Sequence, residues 1–262
     1  MSAHAAAAFV TEARVARHKL GPLPRSMRPA DETAAYLVQD EASVLLGGSG
    51  FGAVIGYKIG CTTAVMQAHL GIDHPCAGYM YAASLHPDGA TLARKDFVQP
   101  GVECEIAVTL AAPLRTGQAP FGRAIVEAAV GAVHAAIEIV DERYEDWRTL
   151  GGETLITDDF FHAGLILGPA VAGWRDLDLP AVTGVVRVNG QEVGRGRGAD
   201  ILGHPMEALA WLANHCAGRG KDIPAGTIVS LGALAPVRWL SPGDRAEIEL
   251  ESLGALSFAA GL

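Results

Sequence analysis

Three glutamates and one lysine are the residues in this sequence whose types and spacing can do chemistry. Glu103 and Glu105 lie in Gly101-Val102-Glu103-Cys104-Glu105-Ile106, and Ala107, Val108 and Leu110 continue the run. Apolar residues alternating with two acids predict a strand. Residues i and i+2 share a strand face, so the two carboxylates point the same way. Like charges side by side repel and require a cation or open water. A third carboxylate, Glu138, stands between Ile137 and Ile139 in a second β-like run ending at Asp141. A glutamate in so apolar a run is costly unless something pairs it. Three carboxylates converging from two strands suit a hard divalent metal, Mg²⁺ or Mn²⁺. The same spacing also describes a solvated strand face with the acids outward. Lys58 sits inside the apolar run Ala53-Val54-Ile55-Gly56-Tyr57-Lys58-Ile59-Gly60. Either it snorkels from an edge strand, or it is a site cation or proton donor whose pKa its surroundings lower.

The elements around these residues are those of a globular chain. Of 262 residues, 50% are hydrophobic and 19% charged, which excludes a disordered protein. The formal net charge of -9 and the lack of any Lys/Arg run argue against nucleic acid and anionic membrane as partners. An anionic small substrate needs only local cations. The apolar runs are short and broken by glycine, so no membrane span is expected. Met1 to Ala8 lacks the basic start and long apolar stretch of a signal peptide. Cys61, Cys76, Cys104 and Cys216 show neither a C-x-x-C pair nor zinc spacing, and reduced, buried thiols in a cytoplasmic protein are expected.

Along the chain, the first twenty residues predict a helix with Phe9, Ala13 and Ala16 on its apolar stripe. Pro22, Pro24 and Pro29 enforce an extended linker. Asp31 can cap a second helix carrying Val38, Ala42 and Leu45, stopped by Gly47-Gly48-Ser49-Gly50. These make a helical N-terminal lobe over residues 1–50, ahead of a β-rich domain over 51–262. Gly50, Gly52 and Gly56 nearly mimic a dinucleotide fingerprint, but the spacing is wrong and no helix follows. Thr63 to Leu70 predicts a short helix, Gly71 to Gly78 a loop, and Pro120 to Val133 a helix with Ile125, Ala128, Ala129 and Ala132 on one stripe. Ala163 to Gly168 reads as a buried strand, and Asn189-Gly190 as a type I′ hairpin turn. Pro205 opens a helix with Met206, Leu209, Ala210 and Ala213 on one face, which Gly218 or Gly220 ends. Late strands are expected over 227–231 and 246–250, with a turn at Ser241-Pro242-Gly243-Asp244. The sum is an α+β fold with a β-rich core.

Several of these stretches resemble a known family. Tyr57-Lys58-Ile59-Gly60, Met66-Gln67, Gly71-Ile72-Asp73, Val102-Glu103-Cys104-Glu105-Ile106, and Glu138-Ile139-Val140-Asp141 with Arg143 are similar to the 2-keto-4-pentenoate hydratase family. That family includes 2-oxohept-4-ene-1,7-dioate hydratase and 4-oxalocrotonate decarboxylase and shares the fumarylacetoacetate-hydrolase catalytic fold. Ala35-Tyr36-Leu37-Val38-Gln39, Asp146-Trp147, Leu167-Gly168, Gly203-His204-Pro205, Ala210 to Asn214 and Ser241 to Asp244 extend the resemblance along nearly the whole chain. It implies a distorted mixed β-barrel or β-roll core with helices outside. It implies Glu103, Glu105 and Glu138 as ligands of Mg²⁺ or Mn²⁺, Lys58 as the active-site lysine, a 2-oxo acid as substrate and a homo-oligomer, with a pathway enzyme as a possible further partner.

The implied reaction is hydration of a 2-hydroxy-2,4-dienoate to a 4-hydroxy-2-oxo acid in aromatic catabolism. The alternatives are a 4-oxalocrotonate-type decarboxylase, a diverged C–C hydrolase or tautomerase of the same fold, and a non-catalytic subunit. A hydrolase needs a His/Glu dyad, for which His69, His74 and His162 are candidates by type alone. Three stretches depart from the family pattern. Pro75-Cys76-Ala77-Gly78 replaces a Pro-Asp before the glycine. Thr157-Asp158-Asp159-Phe160-Phe161 replaces Ala-Asp-Asn-Ala-Ser, and Ala233 follows Leu231-Gly232 where Gly-Ser or Gly-Gly is usual. Cys76 and Asp159, which lie in these stretches, and Gly164 are the expected substrate-binding positions, with Asp159 an extra carboxylate near the metal.

Overall fold

The computed structural model describes residues 3–262; within the helix at 64–70 the side chains of Ala64, Val65 and His69 lie outside the described residues. The chain begins with helices α1 (Ala3–Ala16) and α2 (Glu32–Leu46), strand β1 (Val54–Gly60) and the short helix α3 (Ala64–Leu70). Strands β2 (Cys76–Tyr81), β3 (Leu85–His86), β4 (Ala90–Leu92) and β5 (Pro100–Leu110) lead to helix α4 (Arg123–Ala129), strand β6 (Val130–Asp141) and helix α5 (Gly151–Thr157). Strands β7 (His162–Leu167), β8 (Thr183–Val188) and β9 (Gln191–Arg197) precede helix α6 (Pro205–Gly218). The last strands are β10 (Ile228–Ala233), β11 (Arg238–Trp239), β12 (Arg245–Leu250) and β13 (Gly254–Ala260).

Two sheets result. The larger is a curled, mixed half-barrel in the order β2-β1-β10-β5-β6-β7-β3, with β11 also on β5; the smaller runs β4-β13-β12-β8-β9. β1 pairs parallel to β10, and β10 pairs antiparallel to β5, so the lysine strand lies two strands from the first acid strand. One face of the large sheet carries Val102, Cys104 and Ile106 of β5 with Ile137 and Ile139 of β6. These pack with Ile248 and Phe258 of the small sheet and Leu209 and Leu212 of α6 in one apolar core. Burial of such side chains is the main favourable term in folding. It leaves the acids on the opposite face.

The N-terminal helices seal the open edge at β2. Exposed strand edges invite wrong pairing unless they are covered. Tyr36 Oη accepts the Ala77 N–H at 3.0 Å, and Gln39 Nε2 donates to the Ala77 carbonyl and to the Ile156 carbonyl, each at 2.9 Å. Two residues of the Ala35–Gln39 motif are thus edge caps.

Asp31 caps α2 as expected, accepting the Ala34 N–H at 2.8 Å. Asn189 and Gly190 both have positive φ, the requirement of a type I′ turn. All four cysteines are free and buried. Among the described residues no helix is long and apolar enough to cross a membrane.

Three expectations are corrected. The helix over 120–133 is only α4, and Val130 already starts β6, because Val130 and Val133 pair with Leu110 and Val108 of β5. Sheet pairing overrides local helix preference there, and the buried stripe is Val126 and Ala129 while Ile125 is exposed. The loop over 71–78 ends early, since Cys76 opens β2 opposite Gly60. The buried stripe of α1 is Ala6, Ala7, Val10, Thr11 and Arg14, not Phe9, Ala13 and Ala16. Ala6 and Ala7 are small enough to bring α1 close against Val38 and Ala42 of α2. In addition β13, which the sequence pattern missed, pairs along β12.

One glycine is decisive for bringing β1 to β10. A Cβ on Gly56 would stand 1.9 Å from the Ile228 carbonyl oxygen, so the close approach of β1 to β10 requires its absence. Gly56→Ala is therefore expected to lose about 2 kcal/mol or more of stability by overpacking. A denaturant melt with an unchanged midpoint would contradict this.

Candidate metal centre

β5 and β6 place Glu103 directly opposite Glu138, and Glu105 opposite Ala136. Opposite residues of an antiparallel pair share a face, so all three carboxylates point the same way. One carboxylate oxygen from each lies within 4.8 Å of the others. Glu105 and Glu138 are buried and Glu103 half-buried. Lys58 comes from β1, an interior strand, and is 4% exposed, which removes the snorkelling alternative. Its Nζ lies 3.2 Å from Glu138 Oε1 and donates to the Phe160 carbonyl at 3.0 Å.

Charge dominates this cluster. Burial, then the Glu138 charge, pushes the carboxyls of Glu103 and Glu105 up to about 8 each. Burial also raises Glu138, against the opposing pull of Lys58. For Lys58, burial lowers the pKa, but Glu138, Glu103 and Glu105 outweigh it and hold the ammonium above its ordinary value. The expected lowering is thus reversed: the three acids that make the lysine useful also keep it charged. Three carboxylates against one ammonium leave two negative charges, the charge that one divalent cation neutralises.

The donor set fits such a cation. Glu138 spends Oε1 on Lys58 and on His162 Nδ1 at 3.0 Å, while its buried Oε2 has no hydrogen-bond partner among the described residues. Glu105 Oε2 accepts Ser230 Oγ at 2.5 Å and the Gly232 N–H at 3.1 Å, which fixes that carboxylate and leaves its other oxygen. An orphaned buried carboxylate oxygen in an oxygen-only set is the environment Mg²⁺ or Mn²⁺ favours.

The wall beside Lys58 is the turn from Asp158 to His162. Asp159, Phe160 and Phe161 all have positive φ, a conformation costly for residues with side chains. It is over-determined by its neighbours. Arg143 Nε and Nη2 bond the Asp158 side chain and carbonyl at 3.0 Å each, and Nη1 bonds the Phe161 and His162 carbonyls at 3.1 and 3.0 Å. Arg14 Nη1 donates to Asp159 Oδ2 at 2.8 Å and Nη2 to the His162 carbonyl at 2.9 Å. Gly78 provides room beneath, since a Cβ there would lie 2.8 Å from the Asp159 carbonyl oxygen.

The other sequence candidates stand differently. Asp159 is not an extra acid beside the glutamates: its carboxylate is taken by Arg14, the Tyr79 N–H at 2.9 Å and Tyr81 Oη at 3.0 Å. Gly164 pairs with Ile139, on the face opposite Glu138, and a Cβ there would meet His86 and Ile139. Cys76 shares the face of Lys58 but is buried, with its thiol against Cys61. Ala233 lies at a register irregularity between β10 and β5, opposite Glu105. His74 pairs with Glu32 at 3.1 Å, away from the carboxylates, and the side chain of His69 lies outside the described residues.

His162 does reach the site. Burial, and then the charges of Arg14 and Lys58, drive its pKa well below the ordinary value, so it is neutral. Facing an acceptor carboxylate, its Nδ1 carries the proton. The contribution of Arg14 left no signal in the sequence, because only the fold carries α1 to a segment some 145 residues away.

The profile of the fumarylacetoacetate (FAA) hydrolase C-terminal family matches residues 62–259. The chain belongs to that family. It is similar to the 2-keto-4-pentenoate hydratase of Burkholderia vietnamiensis (strain G4 / LMG 22486), 33% identical over 95% of this chain and 94% of that one. It is similar to a 4-oxalocrotonate decarboxylase of Pseudomonas putida, 33% identical over 78% of this chain and 76% of the other. Among solved structures it is similar to the 4-oxalocrotonate decarboxylase from Pseudomonas putida G7 complexed with magnesium and adipate. The TM-score there is 0.88, with 27% identity, over 99% of this chain and 97% of that one. The mixed β-roll fold of this family is the architecture described above.

Two measurements test the centre. Glu103 and Glu105 hold protons in the folded chain up to a pKa of about 8, far above an unfolded glutamate. The folded state then binds more protons, so stability falls as pH rises toward and through that value. Between roughly pH 6.5 and 8.5, above the ordinary histidine range, the metal-free Tm is expected to fall, and Mg²⁺ to raise it more at the upper end. A flat profile with no Mg²⁺ effect would count against the centre. Separately, Asp159→Ala takes from buried Arg14 its 2.8 Å counter-charge, leaving Asp158 Oδ1 at 3.6 Å, and strands the Tyr79 N–H and Tyr81 hydroxyl; it is expected to cost on the order of 3–5 kcal/mol by denaturant melt. A loss under about 1 kcal/mol would show the pair to be dispensable.

Proposed function

We propose that this chain is a divalent-metal-dependent hydratase, adding water to a 2-hydroxy-2,4-dienoate to give a 4-hydroxy-2-oxo acid in aromatic catabolism. The observation that carries this reading is the three-glutamate cluster facing Lys58, in a chain that a 2-keto-4-pentenoate hydratase matches over 95% of its length. Glu103, Glu105 and Glu138 would hold the divalent cation, which when bound would supply Lewis-acid polarisation of the substrate's 2-oxo group.

The chain's own groups do the rest. Lys58 holds a full positive charge, fixed by Glu138 and the Phe160 carbonyl, beside the place where negative charge grows on the substrate as it changes between dienol and enone. A preorganised cation there is worth more in the transition state than in the ground state. Ser230 and the Gly232 N–H hold Glu105 in one rotamer, and His162 does the same for Glu138. His162 has its Nδ1 on Glu138 and its Nε2 3.5 Å from Ser84 Oγ, with no exposed surface. That supports a positioning duty over the water-activating base a C–C hydrolase requires.

A 4-oxalocrotonate-type decarboxylase is the second reading, favoured by the likeness to the Pseudomonas putida G7 decarboxylase. The same electron sink serves both reactions, and the groups around the far end of the substrate distinguish them. We include a small anionic 2-oxo acid as substrate and a homo-oligomeric assembly in the proposal. Exposed Leu37 and Val44, on one flank of α2, support a covered face there.

The test is an ultraviolet assay on 2-hydroxydienoates with Mg²⁺, run with detection of CO₂. Loss of the dienol chromophore without CO₂ is the expected result, and CO₂ release from a dicarboxylate would install the decarboxylase reading instead. Lys58→Met is expected to keep the fold and the Mg²⁺ affinity while turnover drops by roughly two to four powers of ten. Near-wild-type turnover in that variant would remove Lys58 from the chemistry.

A further inference from the structure

We propose that the substrate carries an apolar or aryl group at the end remote from its 2-oxo acid head, seated against Phe161, Trp239 and Trp147. The proposal rests on the reading above that the glutamate cluster takes the head.

Trp239 stands on the metal face. In β11 it pairs with Gly101 of β5, so the two share a face, and Gly101 and Glu103 are two residues apart on that strand. The indole lies directly on the glycine: a Cβ at Gly101 would come within 2.7 Å of its Cε3. The missing side chain lets an aromatic plane rest on the strand one same-face step, about 7 Å, from the Glu103 position.

Phe161 reaches the same place from the other side. Its predecessor Phe160 accepts the Lys58 hydrogen bond, and its successor His162 holds Glu138. The Phe161 ring centre is 6.4 Å from that of Trp239 and 5.8 Å, edge-on, from that of Trp147. Its own backbone is left-handed at φ 68, so a bulky ring stands where local preference disfavours one. The rings form one wall on the strand face that carries Glu103.

The wall is the open rim of the core: Phe161 and Trp147 are half-buried and packed against it, Phe161 with its ring centre 4.9 Å, edge-on, from that of buried Tyr144, while Trp239 is 38% exposed. Apolar surface left open beside a charged centre marks a place where a ligand covers it. Among the described residues Arg148 stacks on this wall, its guanidinium carbon 4.8 Å from the Trp147 ring centre. It is itself exposed and faces Asp146 at 3.9 Å, so it offers a distal carboxylate a screened partner only. The rings favour a substrate tail with no charge.

The test uses non-reactive saturated 2-oxo acids that share one head: 2-oxopentanoate, 2-oxo-5-phenylpentanoate and 2-oxohexanedioate. Binding to the full chain with Mg²⁺ is measured by calorimetry and by quenching of tryptophan fluorescence, with oxalate as the head-only probe. The phenyl compound is expected to bind about ten- to a hundredfold tighter than 2-oxopentanoate, from the apolar area it buries. That preference is expected to shrink to about threefold or less in Phe161→Ser, and likewise in Trp239→Ala where that variant folds. Oxalate binding with no preference among the three acids would overturn the proposal alone. A preference for the dicarboxylate would also overturn it. Failure of oxalate itself to bind with Mg²⁺ would overturn the reading of the head site, and this proposal with it.

Discussion

Everything near the centre follows from placing three glutamates on one face of two paired strands with a single ammonium to answer them. Coulomb repulsion and lost hydration both oppose that arrangement. Burial and the Glu138 charge already keep two of the acids partly protonated near neutrality. The other face of the same strands is packed with Val102, Cys104, Ile106, Ile137 and Ile139, so the acids cannot turn away without dismantling the core. The apolar face thus holds the polar one in an unfavourable state, and a divalent cation relieves it.

The turn from Asp158 to His162 is the second device, and it depends on the first. It carries two groups that matter to the cluster: the Phe160 carbonyl, which orients Lys58, and His162, which orients Glu138. Three successive left-handed residues do not persist unaided. Arg143, next to the end of β6, and Arg14, from α1, hold the turn through its carbonyls and through Asp158 and Asp159. The N-terminal helices therefore belong to the site mechanically, and they also complete the β2 edge through Tyr36 and Gln39. Asp159 gives Arg14 a buried counter-charge.

Much of this was legible beforehand, and the reason lies in periodicity. Two-residue alternation put Glu103 and Glu105 on one face, and isoleucines on both sides of Glu138 marked it as an acid in an apolar strand. Asn189-Gly190 and Asp31 acted through local backbone chemistry and were read correctly. Local signals failed where a distant partner decided. Val130 and Val133 fit a short helical stripe until β5 pairs with them. The α1 stripe was misread because any of its many alanines could face inward, and α2 selected Ala6 and Ala7.

The sequence by itself therefore determined which residue types face together along each strand, and the resemblance of its motifs pointed to the family. Both rest on spacing within a few residues. Only the tertiary structure decided that Glu138 stands opposite Glu103, that Lys58 is interior and held charged, and that Asp159 answers Arg14 across 145 positions rather than joining the cluster. Strand register, burial and long-range ion pairing depend on how separate elements dock. Charge balance at such a site is a sum over residues that only the fold brings within a few ångströms.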